Sequence, residues 1–152
     1  MKTMNKFYFF AIIAIAAMFS LTSCSSDDEG DVTKPVINLI EPEDGATLTI
    51  GDENGVHFEM EVSDDTALGS YKIDIHNNFD GHNHATRASD GSTTPFVFNK
   101  TYNDISGQRN ATVHHHDIVI PANATPGKYH LMVYLVDQAG NESYAAREIV
   151  LE

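Results

Sequence analysis

Residues 129–136, YHLMVYLV, alternate strictly, and every second side chain is large and apolar. The side chains expected to face a core are those of Tyr129, Leu131, Val133 and Leu135. Because successive side chains of a strand point to opposite sides, a period of two is the pattern of a half-buried β-strand. Residues 129–136 therefore predict a strand with one face in the core.

The same alternation recurs at residues 56–62 and 68–76. Shorter strand candidates span residues 36–40, 46–50, 96–102, 112–120 and 143–151. Turn clusters of Gly, Pro, Asp and Asn separate these segments, and no helical period follows Cys24. Seven or eight short strands without helices predict an all-β fold, an antiparallel β-sandwich.

Residues 1–23 have the features of a lipoprotein signal peptide. Two lysines precede an apolar run at residues 7–19, whose 13 residues fall short of the ~20 needed to span a bilayer. The following Leu-Thr-Ser-Cys, residues 21–24, resembles a bacterial lipobox. That resemblance implies cleavage before Cys24, lipidation of this cysteine and anchoring in a membrane.

Residues 24–34 are predicted to form a lipidated, acidic and disordered tether, and residues 35–152 the sandwich domain. Like charges and few apolar residues keep such a tether from folding. Acidic residues directly after a lipidated cysteine also resemble the export signal of Bacteroidota lipoproteins, which implies an outer-membrane protein that faces the cell exterior. Since Cys24 is the only cysteine and is expected to carry the lipid, no disulfide-linked partner is expected.

The chain is strongly acidic, with a formal net charge of -13. Loss of Lys2 and Lys6 with the signal peptide leaves 7 basic against 22 acidic side chains, a net charge of -15. Such a surface repels the phosphates of nucleic acids. Nucleic acid is therefore excluded as a partner, and cations are the expected ligand class.

Three imidazoles and two carboxylates lie within residues 74–84, where a predicted strand continues into a long loop. In an immunoglobulin-type sandwich, His76 is expected opposite His130 on the neighbouring strand. The predicted metal ligands are His76, Asp80, His82, His84 and His130. Imidazole nitrogens with some carboxylate favour zinc or copper over a hard cation.

A second histidine run, residues 114–116, precedes Asp117 in a strand that such folds place in the opposite sheet. In a regular strand, His114 and His116 share the face of residues 118 and 120, and all three histidines cannot bind one ion. The weaker candidate ligands are His115, His116 and Asp117. Whether this run joins the site at residues 74–84 stays open.

Three aspartates at predicted turns, Asp64, Asp65 and Asp137, have two interpretations. Their carboxylates suit calcium, and the same residue type also caps turns by accepting backbone N–H bonds. We favour turn capping.

Together these features resemble a Bacteroidota-type family of lipoprotein immunoglobulin-like domains of unknown function. The matching residues are Ser63 to Asp65, the HNNFDGHNH motif at residues 76–84, Ile118 to Pro121, Gly127 to Leu131, and Asp137 with Ala139 to Asn141. The resemblance covers most of residues 35–152 and implies an immunoglobulin- or fibronectin-like sandwich with Tyr129 at a tyrosine corner. It implies no activity.

The sequence thus predicts a surface lipoprotein that captures zinc or copper, or a metal-bearing ligand, for an outer-membrane transporter. The alternative is a metal-free adhesion module that binds glycan or protein. Its contacts would come from the aromatic residues Tyr71, Phe79, Phe96, Phe98 and Tyr134. An enzyme is not expected, because the sequence has no nucleophile elbow, phosphate loop or zinc-protease helix motif.

Overall fold

The structure, a computed structural model, describes residues 30–78 and 92–152. The predicted signal peptide, Cys24 and the first part of the tether lie outside these ranges. So do three predicted metal ligands, Asp80, His82 and His84. Within the two ranges, no helix is long and apolar enough to cross a membrane.

The alternating sequences form eight β-strands in the described residues, which confirms the predicted all-β fold. The strands are β1 (Val36–Glu41), β2 (Thr47–Leu48), β3 (Val56–Ser63), β4 (Leu68–Asn77), β5 (Phe98–Tyr102), β6 (Asn110–Ile118), β7 (Gly127–Asp137) and β8 (Glu142–Leu151). Strand β5 begins two residues later than predicted, because the Phe96 N–H donates to the Tyr129 hydroxyl instead of joining a ladder.

The strands form two sheets packed as a sandwich. One sheet has the order β1-β3-β6, and the other has the order β2-β8-β7-β4-β5. The neighbouring strands are antiparallel except for β2 and β8, which run parallel. As the immunoglobulin pattern predicts, β4 pairs with β7 in one sheet and β6 lies in the other.

The core lies between the sheets and is built from the inward side chains of the alternating strands. The predicted inward residues of β7, Tyr129, Leu131, Val133 and Leu135, are fully buried. The Tyr129 hydroxyl donates to the carbonyl of Thr125 at 2.7 Å and accepts the N–H of Phe96 at 3.1 Å. This contact is the predicted tyrosine corner, which connects the loop before β7 to the strand itself.

Four aromatic rings stack in a row from one sheet to the other. Phe58 of β3 stacks on His115 of β6, with ring centroids 4.9 Å apart. The His115 ring stacks on Tyr102 of β5 at 5.0 Å, and Tyr102 stacks on Tyr71 of β4 at 4.7 Å. The row joins the edge strands β6 and β5, so it closes one side of the sandwich.

Asp64 and Asp137 cap turns, as predicted. Asp64 Oδ1 accepts the backbone N–H groups of Thr66 and Ala67. Asp137 accepts the backbone and side-chain N–H groups of Asn141, each at 2.7 Å. Burial raises the pKa of Asp137, but the N–H donors from its turn outweigh burial and hold that pKa below its ordinary value.

Candidate metal centre

Three exposed histidines from two adjacent strands of the three-stranded sheet converge on one point. His57 lies in β3, and His114 and His116 lie in β6. One ring nitrogen from each of the three lies within 4.8 Å of the others. The His57 ring centroid lies 4.7 Å from that of His114 and 5.1 Å from that of His116. We call these residues the histidine trio.

A β-bulge brings the trio together. In the β3–β6 ladder, Phe58 pairs with His115 but Val56 pairs with Ile118, so two residues of β6 lie opposite the single residue His57. A bulge of this kind shifts the alternation of the strand by one residue.

The bulge also corrects the sequence prediction for this strand. Regular alternation predicted that His114 and His116 share the face of Ile118 and Ile120, and this was wrong. Both isoleucines are buried, whereas His114 and His116 are exposed on the outer face beside His57.

Gly55 is the residue that allows the bulge. Its φ is 78°, a left-handed conformation that glycine adopts without strain. A Cβ at this position would lie 2.0 Å from the backbone oxygen of His116. The backbone before β3 therefore approaches β6 more closely than any other residue type permits.

Glu59 adds a carboxylate to the trio. It lies opposite His114 in the ladder, and its Oε2 lies 3.4 Å from Nε2 of His57. A carboxylate beside a ligating imidazole orients the ring and increases its basicity. The three imidazoles with this partner match the ligand types of zinc and copper sites.

His115 and Asp117, two of the weaker candidates, do not join the trio. The His115 ring stacks between Phe58 and Tyr102, and burial lowers its pKa. Its Nδ1 accepts the backbone N–H of Asp117, and its Nε2 is buried without a partner. The Asp117 carboxylate binds Lys100 Nζ at 2.6 Å, and this hydrogen bond lowers the pKa of Asp117. His116 is therefore the weaker candidate that the structure groups with other imidazoles.

The expected neighbours His76 and His130 lie directly opposite each other on β4 and β7. Their ring centroids are 5.7 Å apart, and the rings are nearly perpendicular. Asp74 Oδ1 lies 2.7 Å from Nδ1 of His76, and Asn99 donates a hydrogen bond to the other oxygen of Asp74. Nε2 of His76 is therefore the ring nitrogen that does not face the Asp74 carboxylate.

The trio and the His76–His130 pair lie on opposite outer faces of the sandwich. His57 and His114 alternate with buried Phe58 and Val113 of one sheet. His76 and His130 alternate with buried side chains of the other sheet. Because the core lies between the two sets of rings, the histidine run of β6 does not share one centre with the pair.

Sequence reasoning missed two members of the trio, His57 and His114. The immunoglobulin order of strands could have indicated that His57 lies near the histidine run, since it pairs the strand of residues 56–62 with that of residues 112–120. The alternation of residues 56–62 places His57 on the outer face of its strand, but the bulge that rotates β6 has no comparable sequence pattern. Gly55, immediately before an alternating strand, is the local trace of that irregularity.

A family model described as "Domain of unknown function (DUF4625)" matches residues 22–152. No curated protein matches the sequence.

Solved structures of three other proteins are similar to this chain over part of their length. T. fusca AA10A is 10% identical, with a TM-score of 0.37 over 70% of this chain and 52% of that chain. The sporulation control protein Spo0M from Bacillus subtilis is 11% identical, with a TM-score of 0.44 over 80% of this chain and 50% of that chain. The superoxide reductase neelaredoxin from Ignicoccus hospitalis is 12% identical, with a TM-score of 0.38 over 82% of this chain and 89% of that chain. The chain spans about half the length of the first two. At these identities and TM-scores, none of the three supports an argument about function.

Proposed function

Because the chain belongs to the DUF4625 family, whose description names no activity, we propose a function from its own residues. The protein is a lipid-anchored protein of the outer membrane that binds zinc or copper on the surface of its sandwich domain. Its role is to capture the metal, or a metal-bearing ligand, for a transporter in the same membrane.

The observation that supports this proposal best is the convergence of His57, His114 and His116. Neutral imidazole nitrogens are preferred ligands of zinc and copper, and three of them with one open position form a common zinc site. The rings are exposed, so small rotations about their side-chain bonds suffice to bring three nitrogens to a zinc ion at ~2.0–2.1 Å. Glu59 is the hydrogen-bond partner that orients His57.

A second ligand set remains part of the proposal. His76 and His130 supply two neighbouring imidazoles, and Asp74 is the carboxylate that orients His76. Asp80, His82 and His84 follow β4 directly in the sequence and are the residues proposed to complete this set. The two sets imply more than one metal per chain, as expected of a capture protein rather than a catalyst.

The proposed location rests on the sequence. The lipobox-like residues 21–24 support lipidation of Cys24, and the acidic residues that follow support export to the exterior of a Bacteroidota-type outer membrane. The net charge of -15 that remains after loss of the signal peptide favours the approach of cations and disfavours anionic partners.

Isothermal titration calorimetry of the purified full chain with zinc and with copper tests this function. We expect a dissociation constant below ~100 μM, and at least a tenfold loss of affinity in the His114→Ala/His116→Ala variant. His130→Ala changes only the second ligand set and should leave the trio's binding unchanged. Absence of binding at ~100 μM metal, or binding unchanged by the double substitution, contradicts the proposal.

Glu59→Gln separates a ligand set from a chance grouping of imidazoles. The substitution keeps the size of the side chain but removes the charge beside His57. Loss of such a partner typically lowers metal affinity by ~10–100-fold. An unchanged affinity would mean that Glu59 has no part in the site.

One observation favours the alternative, a glycan-binding module. Tyr144 is 68% exposed, and its ring centroid lies 6.4 Å from that of Tyr134 on the outer face of the five-stranded sheet. Exposed aromatic rings of this kind stack on sugars. Tyr71 and Phe96, which the sequence also suggested, are buried in the core and have no part in such a surface. Binding on a glycan array that Tyr144→Ala abolishes would support this alternative.

A further inference from the structure

Three carboxylates cluster at the end of β3 that lies farthest from the histidine trio. Asp31 precedes β1, and Asp64 and Asp65 form the turn that follows β3. Each offers one carboxylate oxygen, and the three oxygens lie within 4.8 Å of one another. Three like charges this close repel one another unless a cation lies between them.

Hydrogen bonds satisfy only one oxygen of each inner carboxylate. Asp31 Oδ1 accepts the N–H of Thr33 at 2.9 Å, and Asp64 Oδ1 accepts the N–H groups of Thr66 and Ala67 at 2.9 and 2.7 Å. The remaining oxygens, Oδ2 of Asp31 and Oδ2 of Asp64, are buried and have no hydrogen-bond partner. Asp64 as a whole is only 9% exposed.

Turn capping therefore accounts for the position of Asp64 Oδ1 but not for the buried Oδ2. A buried carboxylate oxygen without a donor has lost its hydration and gained nothing in return. Among the described residues, no lysine, arginine or histidine forms an ion pair with Asp31, Asp64 or Asp65. The two unpartnered oxygens therefore have neither a hydrogen-bond donor nor a cation beside them among the described residues.

We propose that Asp31, Asp64 and Asp65 bind a calcium ion. Calcium takes oxygen ligands at ~2.3–2.6 Å, so two oxygens on opposite sides of one ion are about 5 Å apart, which the cluster satisfies. The Thr33 hydroxyl, 3.0 Å from Asp65 Oδ2, is a neutral oxygen next to one of the three carboxylates. Zinc and copper are disfavoured because the cluster contains no imidazole or thiolate.

The bound ion would join the segment before β1 to the turn between β3 and β4. The backbone of that segment is already held nearby, since Asn141 Nδ2 donates to the carbonyl oxygen of Asp31 at 3.0 Å and to Asp137 Oδ2 at 2.7 Å. Calcium thus fixes the point at which the chain enters the sandwich. This role is independent of the proposed transition-metal site, which uses other residues and other ligand atoms.

Calcium titration of the chelator-treated full chain, by calorimetry and by thermal unfolding, tests the inference. We expect a dissociation constant of about 10⁻⁴–10⁻³ M and a rise in Tm of ~5 °C in 5 mM calcium. Magnesium at the same concentration should raise Tm by much less, because it requires a stricter octahedral geometry. An equal or larger effect of magnesium overturns the assignment to calcium.

Two substitutions locate the effect. Asp64→Asn keeps the Oδ1 cap but removes the charge of the carboxylate whose Oδ2 has no partner. In chelator, the Tm of this variant should therefore equal or exceed that of the wild type. Calcium should not raise the Tm of the variant. Asp65→Asn, at an exposed position, should lose most of the calcium shift without a folding defect. Asp52→Asn, in an exposed turn elsewhere, makes the same charge change and should keep the full shift.

The outcomes separate this inference from the zinc and copper proposal. The calcium shift should persist in the His114→Ala/His116→Ala variant. No heat and no Tm shift in 10 mM calcium overturns the inference, as does a shift that Asp64→Asn and Asp65→Asn both retain. Loss of the shift in the histidine variant, with retention in the aspartate variants, would assign calcium to the trio instead.

Discussion

The ring of His115 stacks on the ring of Tyr102, with centroids 5.0 Å apart and planes inclined by 23°. The two residues lie on β6 and β5, the edge strands of different sheets, so this contact joins the sheets along one side of the sandwich. His115 is held there as a neutral imidazole, because its Nδ1 accepts the N–H of Asp117 and its Nε2 is buried. The residue between two trio ligands along the chain is thus half-buried and points toward the other sheet.

The half-buried imidazole of His115 predicts a loss of stability in mild acid. Burial lowers its pKa below the ordinary 6.5, although the nearby Asp117 carboxylate opposes this shift. The unfolded chain therefore binds the proton first, and stability falls as the pH drops through 6.5 towards the lower pKa of the folded state. His115→Phe keeps the stacking and removes the titration, so its free energy of unfolding should depend less on pH than that of the wild type.

Urea unfolding of both proteins at pH 7.5 and pH 5, in chelator, measures this difference. At pH 7.5 His115→Phe should be as stable as the wild type or up to ~1 kcal/mol more stable, because the unpartnered Nε2 is gone. His115→Asn serves as the control. It should also weaken the pH dependence, while losing ~1–2 kcal/mol of stacking. The prediction is wrong if the free energy of unfolding changes equally between pH 7.5 and pH 5 in the wild type and in His115→Phe.

Gly55→Ala should damage both the fold and the histidine trio. The new Cβ would overlap the His116 carbonyl, 2.0 Å away, and alanine would also have to adopt a φ of 78°. We expect a destabilisation of at least ~2 kcal/mol and about a tenfold loss of zinc affinity as His116 moves. Urea unfolding and calorimetry measure the two effects.

Gly45→Ala is the matched control for this substitution. Gly45 has nearly the same φ, 80°, but a Cβ there would meet nothing within 4 Å. It should cost only about 1 kcal/mol and leave zinc binding unchanged. If both variants lose the same free energy of unfolding, the close approach of Gly55 to β6 does not contribute to the destabilisation.

Tyr129→Phe tests the tyrosine corner. The substitution removes a donor to the Thr125 carbonyl and an acceptor for the Phe96 N–H, in a region that is buried. We expect a destabilisation of ~1–3 kcal/mol, measured by urea unfolding. Tyr144→Phe, at an exposed tyrosine, should change stability by less than ~0.5 kcal/mol. A Tyr129→Phe variant as stable as the wild type would count against a stabilising corner.

Substitutions in the two histidine sets should act independently. His114 and His130 lie on opposite outer faces, with the core between them. The effects of His114→Ala and His130→Ala on zinc binding should therefore add, to within ~0.5 kcal/mol in a double-mutant cycle followed by calorimetry. A larger coupling would contradict two separate metal sites.

Regular alternation was enough to predict most of the fold. In β7 and β4, every second residue is large and apolar, and the observed burial follows that pattern from Tyr129 to Leu135 and from Tyr71 to Ile75. Because the period of a strand is two, such sequences have only one register that buries their apolar face. The pairing of His76 with His130 followed from the same rule and from the immunoglobulin order of strands.

The strands, the turns, the tyrosine corner and the acidic surface could be predicted from the amino-acid sequence, because they depend on local alternation, turn chemistry and charge. Which histidines meet depends instead on how the strands pack. The bulge opposite His57 reverses the facing of β6, so that Ile118 turns inward while His114 and His116 stay outside. Likewise, the oxygens of Asp31 and Asp64 come together only when the segment before β1 packs against the turn after β3. A ligand set depends on the relative placement of strands distant in the chain, and one extra residue in a ladder changes that placement without changing the local pattern.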